Sequence, residues 1–214
     1  MWCAIIGPGA TIVPQDPHPQ VRTGVNLTSY AELAVRLVNS AFPASGDPDP
    51  LGAVSDFRAL VTDRPRLAAA ATALDLAALR ALRAELSEVF TAAATGRDAA
   101  VMSGLNALLA RSPVQPELVT HDDQPWHLHL AEHGSAADQY TAGAVAGLTQ
   151  TVAQHGLGRL GTCSIASCHR VFIDASSNRS RRYCPGHCAT RANVTTIRAQ
   201  AHTAGPDTAA SAVS

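Results

Sequence analysis

Residues 163–191 read CSIASCHRVFIDASSNRSRRYCPGHCATR. Cys163, Cys168, Cys184 and Cys188 fall there as two close pairs, C-x4-C and C-x3-C, separated by fifteen residues. Two such pairs are the pattern of a tetrahedral metal ion. Four soft thiolates at about 2.3 Å close the shell of Zn2+ and leave no open position, which makes the site structural rather than catalytic. Disulfides are the competing reading, and they need an oxidising compartment. The opening MWCAIIGPGA has no positive charge ahead of its short apolar run, so we expect no export signal and a cytoplasmic protein holding one structural Zn2+. His169 and His187 each adjoin a cysteine, but adjacent residues rarely both reach one ion. We expect them to be exposed or to touch phosphate.

The residues between the pairs suggest a small fold around the metal. Val171 and Ile173 alternate ahead of a turn at Asp174–Asn178, and Arg181, Arg182 and Tyr183 lie where a returning strand would run. Asp174 is expected to cap that turn through Asn178 or to pin an arginine. Pro185 sits early in a helix that carries Cys188 in its first turn and continues through Arg191, Val194, Ile197 and Arg198. Knuckle, hairpin and helix make a treble-clef-like unit over residues 159–201, dependent on its metal because its apolar set is tiny.

Charge divides the chain at the same place. All 16 basic residues are Arg, and the net of −1 hides two opposed parts. Residues 1–158 carry 9 Arg and 15 acidic residues, a net of −6, whereas residues 159–198 carry 7 Arg and only Asp174, a net of +6. A basic module on an acidic body is suited to a polyanion. The candidate contacts to duplex DNA are Arg170, Arg179, Arg181, Arg182, Arg191 and Arg198. Arg191 and Arg198, seven residues apart on one helix face, suit groove entry, and Arg179 to Arg182 suit clamping of the backbone. A tetrathiolate zinc carries a formal −2, so part of this charge offsets the site. The competing reading is a zinc-stapled protein-interaction module without DNA affinity, its arginines docked on an acidic surface such as the chain's own body.

That body, residues 26–158, reads as mainly helical. Thr28 or Ser29 precedes YAELAVRLVNSAF with Glu32 close behind, a capped helix ending before Pro43. A Pro/Gly/Asp loop covers residues 43–50. A short helix over Val54–Val61, capped near Ser55, leads to a long one from Arg66 to about Thr95, broken near Ala73 to Asp75. Leu76, Leu79, Leu82, Leu86, Val89 and Phe90 give it one buried stripe. Gly96 suits a C-cap, and Asp98, read as a cap, opens a partner helix to Ala110. Residues 117–131, ELVTHDDQPWHLHLA, read as a β-hairpin around Asp122 to Pro125. A last helix from Ser135 to about His155 leads to GLGRLG, read as a hinge. Its glycines match a dinucleotide loop letter for letter, but the segment follows a helix and runs into Cys163, which is the wrong context.

The cysteine segment resembles the CGNR zinc finger. The shared pattern is C-x4-C, then Phe172, Ile173, Asp174, Ser176, Asn178, Arg181, Arg182, Tyr183 and Cys184, then Cys188 and Arg191, with Ala189 and Thr190 standing where the family has Gly-Asn. Upstream, Leu37-Val38-Asn39-Ser40, LAALRALRAEL and GLNALLA resemble the ABATE domain, the family's usual partner among stress-induced transcriptional regulators. The resemblance spans about residues 30 to 200. It implies an N-terminal sensor or scaffold and a C-terminal DNA-binding finger.

The expected fold class is α+β, mostly α, with a small hairpin in the body and the finger at its end. Residues 1–25 and 202–214 are expected to be irregular. The expected function is a zinc-containing, DNA-binding transcriptional regulator whose body senses a small-molecule or stress signal or forms a homodimer, with no membrane span and no enzymatic activity. A catalytic metal centre built from His121, His127, His129 and His133 is the enzymatic alternative. No carboxylate or Cys pair supplies it with a convincing third and fourth ligand, and a solvated strand face is the plainer reading.

Overall fold

Apolar residues at three- and four-residue steps give each long helix one stripe that must be covered, and the helices cover one another. The computed structural model describes residues 27–42, 51–112, 114–120, 127–130, 133–185, 188 and 190. In chain order its helices are α1 (Leu27–Asn39), α2 (Val54–Leu60), α3 (Pro65–Ala70), α4 (Asp75–Ala94), α5 (Asp98–Arg111) and α6 (Ala136–His155). The strands β1 (Glu117–Val119) and β2 (His127–His129) precede α6. The strands β3 (Leu160–Thr162) and β4 (Val171–Ile173) follow it after a 3-10 turn over Leu157–Arg159. The fold is α+β and mostly α, as expected.

Helix ends are set by chemistry that the sequence shows only in part. The break before α4 is real: α3 stops at Ala70, and Asp75 accepts hydrogen bonds from the N–H and hydroxyl of Thr72, both at 2.8 Å. Asp75 is also buried and accepts from the Ala137 N–H at 2.8 Å, tying the start of α4 to the start of α6. Gly96 ends α4 at φ +67°, with the N–H groups of Gly96 and Arg97 donating to the carbonyls of Ala93 and Ala92. Three cap assignments change. The first helix begins at Leu27, so Thr28 and Ser29 lie within its first turn. The second is capped at Ala53, whose N–H donates to Asp56 at 2.8 Å, and not near Ser55. Asp98 is the first residue of α5 rather than its cap, where its charge complements the helix dipole. Ser135 is a true cap: its Oγ accepts from the Asp138 N–H, and Asp138 accepts from the Ser135 N–H at 3.0 Å.

The main core lies between α1, α4, α5 and α6, with Leu37, Leu79, Leu86, Phe90, Leu108 and Leu148 buried in it. Tyr140 of α6 packs edge-on against Phe57, centroids 5.4 Å apart. Its hydroxyl donates to the Leu33 carbonyl at 2.7 Å, and burial pushes its phenol well above the ordinary range. The closest approach of α1 and α6 depends on Gly143. A Cβ there would lie 2.6 Å from Cδ1 of Tyr30, and the Arg64 guanidinium stands 4.2 Å from the centre of the same ring. Gly143→Val is therefore expected to lower stability by about 1–3 kcal/mol through overpacking. A denaturation midpoint equal to that of the parent would show that the ring yields freely.

The strands β1 and β2 pair antiparallel with Glu117 opposite His129 and Val119 opposite His127, the hairpin expected from the alternation. Its turn lies outside the described residues. Among the described residues no helix is long and apolar enough to cross a membrane.

Candidate metal centre

The site is assembled on the β3–β4 ribbon. These strands pair antiparallel with Leu160 opposite Ile173, Gly161 opposite Phe172 and Thr162 opposite Val171. The Cys163 N–H donates to the Arg170 carbonyl at 2.9 Å, which extends the ladder by one step and makes residues 163–170 a knuckle. Within the knuckle the Cys168 N–H donates to the Ile165 carbonyl at 2.8 Å, so both cysteines of the first pair turn to the same side. The Ser164 N–H donates to the Arg182 carbonyl at 2.9 Å, which brings the approach to Cys184 alongside. Cys188 follows in a helical residue.

The four sulfur atoms all lie within 4.8 Å of one another, and Cys168 and Cys184 are 3.8 Å apart. A tetrahedron of sulfurs around Zn2+ at about 2.3 Å has edges of about 3.8 Å. A disulfide needs about 2.05 Å, and all four cysteines are free thiols. Cys163, Cys184 and Cys188 are buried and Cys168 is half-buried. Burial pushes the Cys184 thiol far up, and its contacts with the other three sulfurs push it further. Cys188 is also raised, by its bond to Cys168 and then by burial. For Cys163 burial raises the pKa, but hydrogen bonds from the Ile165 and Cys184 N–H groups and from neighbouring thiols outweigh it and lower the net value. So many sulfurs in one place cannot all ionise by themselves. A divalent, thiophilic ion removes that conflict, and the four cysteines form a zinc-binding site.

The surroundings depart from expectation in three places. The strand β4 pairs back with β3 instead of forming a hairpin with residues 181–183, which are not a strand. Asp174 is buried and holds the turn as expected, but its partners are Ser176 and the Arg181 backbone, not Asn178 or a guanidinium. Its carboxylate accepts from the N–H and hydroxyl of Ser176, at 2.8 and 2.5 Å, and from the Arg181 N–H at 2.9 Å. Burial raises its pKa, and these hydrogen bonds outweigh that and hold it below the usual carboxylate range. Arg179 adopts φ +52°, a left-handed conformation uncommon outside glycine. GLGRLG is no free hinge, because Leu160 and Val171 are buried in the main core.

Of the arginines read as DNA contacts, Arg179, Arg181 and Arg182 are exposed on the turn after β4. Arg170 is half-buried and donates to the Phe42 carbonyl at 2.9 Å, so it also fastens the knuckle to the end of α1. Arg191 and Arg198 lie outside the described residues, as do His121 and His187. His169 is exposed, with its ring 5.6 Å from that of Phe42. His127 and His129 lie on β2, and exposed His133 stands 3.7 Å from Glu117. Among the described residues the cysteines are the one group of His, Cys, Asp and Glu with metal-binding geometry.

Sequence reading missed Asn39. Its Nδ2 donates to the Val171 carbonyl at 2.9 Å, and its Oδ1 accepts from the Val171 N–H at 2.8 Å. One amide thus occupies both backbone groups of a β4 residue as a neighbouring strand would. The only signal was an asparagine at the end of an apolar helix. Arg159 was also missed as a brace. Its Nη1 donates to the carbonyls of Asp174 and Ser176, holding the turn that carries the exposed arginines.

The comparisons agree with this architecture. No curated protein matches the chain in sequence. Residues 159–201 match the CGNR zinc finger family. Residues 31–159 match the ABATE family, described as "Putative stress-induced transcription regulator". The second match covers the helical body, α1 to the 3-10 turn, and more than half of the chain. With a four-cysteine centre following this helical body, the chain belongs to the ABATE family and carries a CGNR zinc finger.

Proposed function

We propose that this zinc-binding protein is a transcriptional regulator, not an enzyme, whose arginine-rich finger grips duplex DNA and whose helical body serves dimerisation or sensing. The observation that carries this reading is the state of three arginines. Arg179, Arg181 and Arg182 are exposed, and none forms an ion pair among the described residues. The one carboxylate of their segment, Asp174, accepts three hydrogen bonds, from the N–H and hydroxyl of Ser176 and from the Arg181 backbone. The turn is therefore braced from inside while its guanidinium groups stay available. An Arg cluster folded onto the acidic body, the competing reading, needs carboxylate partners, and the side chains of these three residues meet none within ion-pair distance among the described residues. A single short finger offers little contact area for tight specific binding, which favours a paired assembly through the body.

Duplex affinity of the full-length chain is expected to fall steeply with salt, with a logarithmic slope of about −0.9 per phosphate contacted. Changing Arg181 and Arg182 together to Ala is expected to make that slope shallower by about 2 without changing zinc content. Equal slopes for parent and variant, measured by fluorescence anisotropy at several salt concentrations, would refute the assignment.

A further inference from the structure

A groove of about 650 Å3 runs between α1, the C-terminal half of α6 and the segment after β4. Small-molecule sites occupy roughly 300–1,000 Å3. Ala31 and Val35 of α1 and Ile173 of β4 supply an apolar lining. Gln150, Gln154 and His155 of α6 supply a polar one, and none of these three side chains has a hydrogen-bond partner among the described residues. Gln150 and Gln154 are one helical turn apart, so they serve the same face.

The charge around this groove is unbalanced. Glu32 is engaged with Arg36 at 3.7 Å, and the Asp174 carboxylate accepts three hydrogen bonds, two from Ser176 and one from the Arg181 N–H. Two lining guanidinium groups have donors to spare. Arg159 uses Nη1 on two carbonyls, while its Nε–H is out of solvent without an acceptor. Arg181 makes one long bond, 3.4 Å to the Ile173 carbonyl. A planar guanidinium with free donors matches a carboxylate, which it can hold by two parallel bonds. An inorganic anion would leave the apolar lining bare.

We propose that this groove binds a small amphipathic organic carboxylate. Its charged end is taken by Arg159, Arg181 and the glutamine rim, and its apolar part rests on Val35 and Ile173. Such a ligand touches the helical body and the zinc segment at once.

Calorimetric titration of the zinc-loaded full-length chain with benzoate, octanoate and inorganic phosphate tests this. At least one of the two carboxylates is expected to bind saturably at one per chain, and phosphate at least about tenfold more weakly. Gln154→Leu and Arg181→Ala, both at exposed positions, are each expected to weaken carboxylate binding by about tenfold. The proposal is overturned by the absence of saturable binding for both carboxylates, by equal affinity for phosphate, or by unchanged affinity in both variants. The titration contains no nucleic acid, so its failure and the failure of DNA binding are separate results.

Discussion

Cys184→Ser is expected to cost the protein its zinc and to lower the melting temperature of the whole chain by on the order of 10 °C. The first effect follows from coordination: a serine hydroxyl cannot complete a shell of soft thiolates, and structural zinc sites contribute roughly 10–16 kcal/mol of apparent binding energy. The second follows from packing. The buried cluster around the site comprises Cys163, Phe172, Cys184 and Cys188, with Ile165, Cys168 and Tyr183 beside it. That set is too small to hold its shape without metal. When it loosens, Leu160 and Val171 of the same ribbon are withdrawn from the main core. At about 1.5–3 kcal/mol for each large side chain, the body loses several kcal/mol. Elemental analysis and a circular dichroism melt read the two effects separately, and chelation of the parent protein should reproduce both. One full equivalent of zinc in the variant would end the four-ligand assignment. A zinc-free variant with the parental melt would show that the ribbon does not support the helices.

Asn39→Ala is expected to lower stability by about 2–4 kcal/mol, the cost of leaving two partly buried backbone groups of Val171 unpaired. This is a large effect for a half-buried polar residue, and it arises because both ends of the amide are used at once. Asn39→Asp retains size and an acceptor but loses the donor and sets a carboxylate against the Val171 carbonyl, so it should be no better than alanine. Zinc content should stay at one per chain, because Asn39 touches the ribbon and not the knuckle. A denaturation midpoint for Asn39→Ala within experimental error of the parent would show that α1 and β4 are held by apolar packing alone.

The parts of this protein that could be read from sequence share a physical property. The four cysteines, the stripe from Leu76 to Phe90, the Gly96 cap and the start of the last helix at Ser135 are local patterns, in which spacing along the chain dictates which groups meet. The hairpin of β1 and β2 belongs with them, because its alternation of apolar and polar residues is a local pattern. The misreadings concern groups with more than one available partner. Asp174 lies near Asn178 and three arginines in sequence, and the turn presents it to Ser176 and a backbone N–H instead. Ser55 and Asp98 have the chemistry of helix caps, yet the caps are Ala53 and Arg97, two residues and one residue earlier. No returning strand forms over residues 181–183: β4 pairs with β3 on one edge and gives Val171 to Asn39 on the other, while the Arg182 carbonyl accepts from Ser164.

From the order of residues alone came the helical class of the body, the metal and its four ligands, and the concentration of arginine in the last segment. Metal geometry and helix periodicity act over a few residues, so they leave a trace in spacing. Only the tertiary structure decided that the finger is built into the body. The contacts that join them, Asn39 to Val171 across 132 residues and Arg170 to Phe42 across 128, bring together groups from opposite ends of the chain. Such pairs carry no mark in local sequence, because their partners are chosen by how the packed helices bring the chain back on itself.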